Sequence, residues 1–476
     1  MTRNKLQNII FKYTQIDISP ASHIFDNTWD IIESSILILD GPKNIRVEDY
    51  ILSISNHLMD GAIVATLFIN GSEKFFQDKS NFGTVLVVEE KIVHKIVEEY
   101  YDKTPSQILA VTGTFGKTST TVFLYELLLA MGVKASMVGT LGLRGIPINF
   151  LKTTRNTTPS WIALKRILHI SKENNIDTTI IEVSTHGIGK KNDDSRLKNI
   201  KFTGGIWTGF GTDHLEYHGT LENYFATKHD FMASLPLIVV NKNVYNFFSI
   251  NFTPRYIYSK EMNHITHEGF QFNGIFYKKS FSVKFFQQEN LLGAMLLLYG
   301  LGYENVFNFV DLDVQIPARM EYFGKSYGGA DIYSDNAYRP ESIQNVLSYF
   351  TPLNLKRLIL IAGAGGDRSR GINYRKDIGF LSSKVYKLII TDDNPRKEDA
   401  FQIRNEIIGI DSTILNIPNR FDALITAFTM SKLHHIILII GHGSDETVLY
   451  KNYYVLMNDK EIFQHYKFHY SPLIGV

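Results

Sequence analysis

The residues best suited to chemistry in this chain lie in one stretch, ILAVTGTFGKTSTT (108–121). Its apolar beginning ends in two closely spaced glycines, and a lysine and several hydroxyl residues follow. Glycines let a backbone turn tightly and point its N–H groups at an anion, and the N-terminus of a following helix adds partial positive charge. We therefore predict a strand, a phosphate loop and a helix that bind ATP or GTP. The residues expected on the nucleotide are Gly113, Thr114, Gly116, Lys117, Thr118 and Ser119.

Lys117 is expected to reach the outer phosphates, and Thr118 to ligate Mg²⁺ through its hydroxyl group. The fit to the general pattern G-x-x-x-x-G-K-[ST] is incomplete, because Val111 stands five positions before Gly116, where that pattern has glycine. The alternative is a glycine-containing turn that binds nothing. A lysine followed directly by hydroxyl residues favours the phosphate loop.

Polar residues near the ends of later strands are the next candidates. Glu182 lies in the otherwise apolar segment TTIIEVS (178–184), where a buried carboxylate is costly unless a cation or a hydrogen-bond donor compensates it. A Mg²⁺ shared with Thr118 would provide that compensation. The string DHLEYH (213–218) offers imidazole and carboxylate groups, although a solvated polar loop is the simpler explanation of this string taken alone. Lys228 lies on a predicted helix, where an isolated lysine is usually a solvated charge.

The composition is that of an ordinary globular protein. The chain has 476 residues, of which 44% are hydrophobic and 20% charged, and this length suggests roughly three domains. The 49 basic and 48 acidic residues nearly balance, which gives no indication of nucleic acid binding. The absence of cysteine excludes disulfides, thiolate metal sites and cysteine nucleophiles. No apolar run reaches the ~20 residues of a membrane-spanning helix, and no signal peptide is evident, so we expect a cytoplasmic protein.

The pattern of elements predicts an α/β protein with a doubly wound parallel sheet at its centre. From residue 106 to about 317, short apolar runs alternate with longer helical patterns. The predicted strands are LAVTG (109–113), TTIIEVS (178–184), TGGIWTG (203–209) and LIVVNK (237–242). Nearly continuous apolar runs are typical of parallel strands, and ligands bind beyond the carboxyl ends of such strands.

From about residue 318 the alternation repeats, with strands RLILIAG (357–363), KLIITD (387–392) and HIILIIG (435–441). The turns that follow them, AGAGGDRSRG, TDDNPRKED and GHGSDET, are expected at one edge of a parallel sheet, where they would form a second site shared with the central domain. Forked or amide donors suit a carboxylate, and an acidic side chain suits an ammonium group. The alternative is that these strings only form turns. The residues expected to recognise an amino acid are Arg368, Asn394, Arg396 and Glu446.

Several strings together resemble those of one family. They are TGTFGKTSTT (112–121), NTTPS (156–160), EVSTHGI (182–188), TDHLEYHGTLENYFATK (212–228), PARMEYFG (317–324), GAGGDRSRG (363–371), DDNPRKED (392–399) and GHGSDET (441–447). As a collinear set over roughly three-quarters of the chain, they resemble the Mur ligase family. The resemblance implies three domains: an N-terminal domain for a UDP-linked substrate (1–103), a central P-loop ATPase domain (104–317) and a C-terminal, Rossmann-like amino-acid-binding domain (318–476).

The resemblance implies an ATP-dependent amide ligase that works as a monomer. A substrate carboxylate attacks the γ-phosphate of ATP to form an acyl phosphate, and the amine of an incoming amino acid then displaces phosphate. The implied acceptor is a carboxylate of UDP-MurNAc-L-Ala-D-Glu or a similar molecule. The string DNPR (393–396) is similar to that of enzymes that select meso-diaminopimelate over lysine, so a diamino acid is the expected second substrate.

The resemblance also assigns roles to single residues. Thr118 and Glu182 are similar to ligands of one Mg²⁺, and His214 to a ligand of a second. Lys228 falls where the family has a carbamylated lysine, whose added carboxylate helps to bind the second metal. Lys117, His214 and Lys228 are therefore the expected catalytic residues. Residues similar to those that hold the muramoyl peptide are Thr157, Thr158, Ser184 and Arg196, and those similar to residues near ATP are Asn290, Arg319 and Asp335.

This chain departs from the family pattern at several positions. Phe115 replaces the usual Asn within the phosphate loop, Ala318 replaces a Gly, and Asp335-Asn336-Ala337-Tyr338 stands where Asp-Tyr-Ala-His is expected. The usual Thr-Asn-Leu before the Asp-His pair has become Thr-Gly-Phe (208–210). GHGSDET has one residue more than the family's Gly-Lys-Gly-His-Glu, and the N-terminal Ser-Arg uridine signature is missing.

Two alternatives follow from these departures. The missing uridine signature is compatible with a ligase of specialised metabolism that has the same chemistry but acts on a carboxylate without UDP. Phe115 and Asn336 are compatible with a non-catalytic, nucleotide-binding ligase homologue. An active ligase is favoured because the groups that phosphoryl transfer needs are retained, namely Lys117, Thr118, Glu182, His214 and Lys228.

Overall fold

A computed structural model describes most of the chain and divides it into two compact units, Met1–Leu312 and Asp313–Val476. The predicted domain boundary at residue 103 lies within the first unit and stays a prediction. The described residues are 4–19, 23–25, 35–39, 63–69, 72–75, 82–146, 156–190, 195–266, 268–278, 285–312, 314–338, 340–348, 350–366, 374–443 and 445–469.

The first unit begins with a small parallel sheet. Its strands, which pair in chain order, are β1 (His23–Phe25), β2 (Ser35–Leu39), β3 (Ile63–Ile69) and β4 (Thr84–Val88). The helices Lys5–Thr14 and Glu90–Tyr100 supply apolar side chains to the same core. Trp161 and Ile162 also belong to that core. Because both residues begin the helix Trp161–Glu173 of the following α/β region, the small sheet shares its core with that region.

The larger sheet of the first unit has seven strands. They are β5 (Gln107–Thr112), β6 (Ala135–Gly139), β7 (Gly142–Arg144), β8 (Thr178–Glu182), β9 (Gly204–Trp207), β10 (Ile238–Asn241) and β11 (Tyr256–Tyr258). Their order is β11-β10-β9-β5-β8-β6-β7, and only β7 is antiparallel to its neighbour. The chain crosses from one side of β5 to the other between β8 and β9. The doubly wound parallel sheet is therefore present, and the phosphate loop follows its central strand.

Helices cover this sheet because nearly every residue of its inner strands is apolar and buried. The helix Lys117–Ala130 carries buried residues around most of its circumference, since it packs against β6, β8 and the helix Phe285–Gly300. A hairpin is formed by β12 (Gly269–Phe272) and β13 (Ile275–Lys278). Among the described residues of this unit, the remaining α-helices are Thr185–Ile188, Leu215–His218 and Leu221–Ala233.

The second unit contains a six-stranded sheet with the predicted α/β alternation. Its strands are β14 (Glu321–Lys325), β15 (Asp331–Asp335), β16 (Leu358–Ala362), β17 (Lys387–Ile390), β18 (Leu415–Asn416) and β19 (Ile436–Ile440). They lie in the order β14-β15-β19-β16-β17-β18, and all neighbours are parallel except β14 and β15. A hairpin of β20 (Thr447–Leu449) and β21 (Tyr454–Leu456) follows. The α-helices are Pro340–Leu347, Pro352–Leu355, Tyr374–Gly379, Ala400–Ile408, Arg420–Met430 and Asp459–His469.

A buried ion pair joins the last two helices of this unit. Arg420 donates two hydrogen bonds to the Asp459 carboxylate, at 2.7 and 2.8 Å, and both side chains are almost fully buried. Replacing Arg420 with Lys keeps the charge but loses the forked geometry, so we expect a loss of about 1.5–3 kcal/mol of unfolding free energy, measured by denaturant titration. Lys325, in an exposed pair with Asp331, is the matched control, and Lys325→Arg should cost less than about 0.5 kcal/mol. Equal effects of the two variants would contradict this account of the buried pair.

Within the described residues, no helix is both long and apolar enough to cross a membrane.

Candidate active site

The phosphate loop joins β5 to the helix Lys117–Ala130, as predicted. Gly116 caps this helix in the left-handed region, with φ of 79°, and a side chain there would overlap the Asn290 amide. Glycine alone meets both requirements. Lys117 folds back onto the loop and donates hydrogen bonds to the carbonyl oxygens of Gly113 at 2.9 Å and Thr114 at 3.2 Å. Its ammonium charge therefore lies at the loop that is expected to hold phosphates.

The loop after β9 holds the phosphate loop in place. The N–H of Thr114 donates to the carbonyl oxygen of Gly209 at 2.8 Å, and the N–H of Gly211 donates to the Thr114 hydroxyl at 3.1 Å. The Thr208 hydroxyl also contacts the carbonyl oxygen of Phe115. These bonds fix the backbone of the phosphate loop through groups of the protein itself.

Glu182 is the last residue of β8 and is almost fully buried. Its carboxylate accepts hydrogen bonds from the Thr118 hydroxyl at 3.0 Å, from the Thr140 hydroxyl at 3.1 Å and from the Thr140 N–H at 2.9 Å. The structure thus brings Thr118 and Glu182 together, and it adds Thr140, which sequence reasoning missed. Hydroxyl and carboxylate oxygens suit Mg²⁺ beside a nucleotide, so this donor set fits the metal that the resemblance implies.

Lys228 lies on the helix Leu221–Ala233 with a side chain that is only 1% exposed. Its Nζ donates to the carbonyl oxygen of Gly113 at 3.0 Å and to the Thr112 hydroxyl at 3.3 Å. Burial, together with the positive charge of Lys117, lowers the pKa of Lys228 well below its usual value. The interpretation of this lysine as a solvated charge is therefore wrong, because it is a buried amine beside the phosphate loop.

The histidines of the DHLEYH string form an ordered cluster with His186. The His214 ring lies edge-on to that of His186, with centroids 4.7 Å apart, and its Nε2 is 3.5 Å from Oδ2 of Asp213. His218 is buried, and this burial, together with the charges of His186 and His214, lowers its pKa to about 4. The solvated polar loop is therefore the wrong interpretation. No three His, Asp or Glu side chains of the described part of the chain form a ready metal site, and the role of His214 as a metal ligand stays a prediction.

The four residues predicted to hold the muramoyl peptide lie together beyond the carboxyl end of β8. The Thr158 hydroxyl donates to the backbone carbonyl oxygen of Glu182 at 2.8 Å and accepts from the N–H of Ser184 at 2.8 Å. Arg196 donates to the carbonyl oxygen of Thr158 at 2.6 Å. The Thr157 hydroxyl lies 3.1 Å from that of Thr140, which in turn binds the Glu182 carboxylate. This group therefore adjoins the Thr118–Glu182 pair.

In the second unit, turns after four strands meet at one sheet edge, as predicted for three of them. A side chain at Gly363, after β16, would lie 2.7 Å from Cβ of Asp393, which follows β17. A side chain at Gly441, after β19, would overlap the Asp393 carboxylate. The fourth turn follows β15 and begins with Asn336. A side chain at Gly443, in the turn after β19, would lie 2.5 Å from Oδ1 of Asn336. The sharing of this site with the central domain stays a prediction.

The structure describes three of the four residues that are predicted to bind the amino acid substrate. Asn394 accepts a hydrogen bond from the N–H of Leu449 at 2.8 Å and donates one to the Asp445 carboxylate at 3.2 Å. Arg396 donates to the carbonyl oxygen of Gly366 at 3.2 Å. The acid placed against Asn394 is thus Asp445, one position before the predicted Glu446. Arg368 lies outside the described residues.

In the second unit, the carboxylate of Asp335 is bonded to backbone N–H groups, a role that the sequence did not indicate. Its carboxylate accepts hydrogen bonds from the N–H groups of Met320 at 2.8 Å and Ala337 at 2.9 Å. Arg319 donates to the carbonyl oxygen of Ala318, which has a φ of 50° where glycine is the more usual residue. The proposed contact of Arg319 and Asp335 with ATP stays a prediction.

Comparison with known families agrees with this geometry. The Mur ligase middle domain matches residues 111–310, and the Mur ligase, glutamate ligase domain matches residues 318–443. Together these two matches cover more than half of the chain. The chain belongs to the Mur ligase family. This Mur ligase is an ATP-dependent ligase with the predicted Mur architecture of α/β domains.

Named relatives and solved structures resemble this Mur ligase over most of its length. It is 27% identical over 455 residues to the UDP-N-acetylmuramoyl-L-alanyl-D-glutamate--2,6-diaminopimelate ligase of Rickettsia bellii, covering 88% of this chain and 91% of that protein. The ligase of the same name from Brucella melitensis is 28% identical over 378 residues, covering 73% and 75%. The MurF ligase of Thermotoga maritima in complex with ADP has a similar fold, with a TM-score of 0.59 at 16% identity and coverage of 88% and 94%.

Proposed function

We propose that this Mur ligase uses Mg·ATP to join meso-diaminopimelate to a carboxylate of UDP-MurNAc-L-Ala-D-Glu. The proposal rests on the position of Lys228. Its buried amine contacts the phosphate loop, and it lies in the same unit as the Thr118–Glu182 pair. Burying an amine is costly, so its presence beside a phosphate site calls for a chemical reason. The names of the relatives supply the two substrates.

The proposed reaction has two steps. A carboxylate oxygen of the acceptor attacks the γ-phosphorus, and the bond from that phosphorus to ADP breaks. The neutral amine of the amino acid then attacks the acyl carbon, and phosphate leaves with the former carboxylate oxygen while the amine loses a proton. Lys117 and the N-terminus of its helix stabilise the negative charge on the transferring group.

Two groups of residues would complete the phosphate site. Thr118 and Glu182 would hold Mg²⁺, which supplies positive charge to the phosphates when bound. Lys228 has a pKa well below its usual value, so its amine is neutral more readily than that of an exposed lysine. A neutral amine is the form that combines with carbon dioxide to give a carbamate and a proton. This chemistry supports the carbamylated role that the resemblance implies for Lys228.

The acceptor would lie beside the same site. Arg196 has a guanidinium group suited to a carboxylate, and it is bonded to Thr158, which in turn is bonded to Ser184 and Glu182. A peptide carboxylate held there would lie on the side of the phosphate loop where Glu182 is found. A cytoplasmic location belongs to the same proposal, since ATP is a cytoplasmic substrate, and the monomeric state stays a prediction.

The extra residue in GHGSDET leads to a prediction about the amino acid. Because Asp445 contacts Asn394, we propose that its carboxylate, not that of Glu446, binds an ammonium group of the diamino acid. Asp445→Asn should raise KM for meso-diaminopimelate by about tenfold, the value of one charge-assisted hydrogen bond, with KM for ATP nearly unchanged. Glu446→Gln is the matched control and should change that KM less than about twofold. A larger effect of Glu446→Gln would reverse the assignment.

The function itself is tested by phosphate release from Mg·ATP with purified protein. Reactions contain UDP-MurNAc-L-Ala-D-Glu, the same muramoyl dipeptide without UDP, or no acceptor. Each is run with meso-diaminopimelate, with L-lysine and with neither. Release that needs both the acceptor and meso-diaminopimelate would support the proposal. Release only with a carboxylate that lacks UDP would favour the second candidate, a ligase of another acceptor, which the missing uridine signature suggests. No release with any acceptor, although ATP binds, would contradict both.

A further inference from the structure

Phe115 is a large apolar residue in the middle of the phosphate loop, and its ring rests on the loop that follows β9. A Cβ atom on Gly211 would lie 3.0 Å from Cε2 of Phe115 and closer still to Cζ. Such distances are well inside van der Waals contact, so the ring occupies the space that a side chain at position 211 would need. The Phe115 ring therefore packs directly against Gly211.

The backbone does not explain this glycine. Neither Gly209 nor Gly211 is among the described glycines with positive φ, so an L-residue could adopt either conformation. At Gly209 a Cβ atom would lie 3.6 Å from Cδ2 of Phe115 and 3.5 Å from the Asn243 amide, which is ordinary contact distance. The two neighbouring glycines thus differ in one respect, and only at Gly211 does the ring exclude a methyl group.

The ring is attached to a backbone that is bonded on both sides of it. The N–H of Thr114 donates to Gly209, and the N–H of Gly211 donates to the Thr114 hydroxyl. The carbonyl oxygen of Phe115 contacts the Thr208 hydroxyl. Displacement of the ring would therefore strain these bonds and the backbone of the loop that is expected to bind the phosphates.

We propose that Phe115 is a positioning residue for the nucleotide. Its ring, seated on Gly211, holds the phosphate loop in the conformation that binds Mg·ATP. Phe115, which departs from the family pattern, thus packs against the loop that carries a second departure, Thr-Gly-Phe at 208–210. The proposal concerns ATP use alone, and it stands or falls independently of the acceptor and the amino acid.

A double-mutant cycle tests this coupling through direct binding of Mg·ADP, measured by calorimetry on the full chain. Gly211→Ala should weaken binding about tenfold, because the methyl group displaces the ring and the loop with it. In a Phe115→Asn background the same substitution should change binding less than about twofold, since no ring remains to be displaced. Gly209→Ala, in which the methyl group fits, is the matched control and should stay within about twofold of wild type.

The outcomes are distinct. A loss at Gly211→Ala that is the same with and without Phe115 would overturn the proposal, as would wild-type binding by Gly211→Ala. A melting temperature measured for each variant separates general destabilisation from loss of nucleotide affinity, because a positioning role predicts weaker Mg·ADP binding by both Gly211→Ala and Phe115→Asn at melting temperatures close to that of wild type. If Gly211→Ala does not fold, Phe115→Leu serves instead. It should weaken Mg·ADP binding several-fold at an unchanged melting temperature, and unchanged binding would contradict the positioning role.

Discussion

Lys228→Met should lower the rate of amide formation by roughly 1,000-fold or more without unfolding the protein. Methionine fills the space of the lysine stem but carries no amine. The amine of Lys228 contacts the Gly113 carbonyl within the phosphate loop, so its loss removes the group proposed to carry a carbamate beside that loop. Phosphate release under saturating substrates measures the effect.

The stability of this variant separates a catalytic role from a structural one. Folding lowers the pKa of Lys228, so between the lowered value and the ordinary value of about 10.4 the unfolded chain binds a proton that the folded chain releases. Stability contributed by this group is therefore complete above about pH 10.4 and falls as the pH drops toward the folded pKa. Lys228→Met removes that cost, so denaturant unfolding at about pH 7 should show equal or greater stability than wild type.

The matched control for both measurements is Lys134→Met. Lys134 is an exposed residue that follows the helix Lys117–Ala130, so its replacement should leave rate and stability close to wild type. A wild-type rate in Lys228→Met would remove this residue from the mechanism. A slow variant that is also much less stable would instead mark Lys228 as a structural residue.

Lys117→Ala should cost about 3 kcal/mol of transition-state stabilisation, which corresponds to roughly a hundredfold loss in kcat/KM for ATP. Lys117 is held at the start of its helix by bonds to the Gly113 and Thr114 carbonyl oxygens, so its charge is already in place for the outer phosphates. A group that acts mainly on the transferring phosphoryl group should affect kcat as well as KM. Steady-state kinetics over a range of ATP concentrations separates the two parameters.

The control for this prediction is Lys134→Ala, in which an exposed lysine is truncated in the same way. It should leave kcat and KM near their wild-type values. If Lys117→Ala raised only KM, the lysine would contribute to ground-state binding alone. If both parameters were unchanged, the stretch that first suggested a nucleotide site would have no part in the reaction.

Several of the parallel strands could be predicted from the sequence, because the apolar residues that identify each strand are consecutive in the chain. Strands that are buried on both faces need continuous apolar residues, and segments such as LILIA (358–362) and IILII (436–440) have no other simple explanation. The observed ends differ from the predicted ones by one or two residues, since strand ends have no comparably strong signal. The short strand β7 and the hairpin of β12 and β13 were not predicted, because three or four residues carry too little pattern. The longer strands β6, β14 and β15 were also not predicted, because polar residues or glycines interrupt their apolar residues.

Only part of the site could be predicted from the sequence. Residues that are neighbours in the chain could be found, whereas residues that meet only in the fold could not. The phosphate loop could be found because its glycines and Lys117 are neighbours in sequence. Thr140 could not, because it meets Glu182 only where β6 pairs with β8. The burial of Lys228 depends on how its helix packs, so no local pattern distinguishes it from a solvated lysine. A resemblance to a family was needed to single it out.

Asp445 shows a different limit. The motif around it is one residue longer than the family pattern, and alignment by residue type alone pointed to Glu446. Only the hydrogen bond between Asn394 and Asp445 shows which acid the turn places at the sheet edge. A contact depends on the path of the backbone, whereas a motif depends only on order, so the binding of an ammonium group by Glu446 stays a prediction beside the alternative that Asp445 offers.

The central claim is that a carboxylate of the acceptor is activated by transfer of the γ-phosphoryl group. The most direct test uses UDP-MurNAc-L-Ala-D-Glu whose carboxylates carry heavy oxygen, together with Mg·ATP and meso-diaminopimelate, and mass analysis of the phosphate that is released. In an acyl phosphate the attacking oxygen stays on phosphorus when the amine displaces phosphate, so we predict one heavy oxygen in each phosphate formed. Phosphate without label, released during amide formation, would show that the carboxylate never attacks phosphorus and would contradict the account.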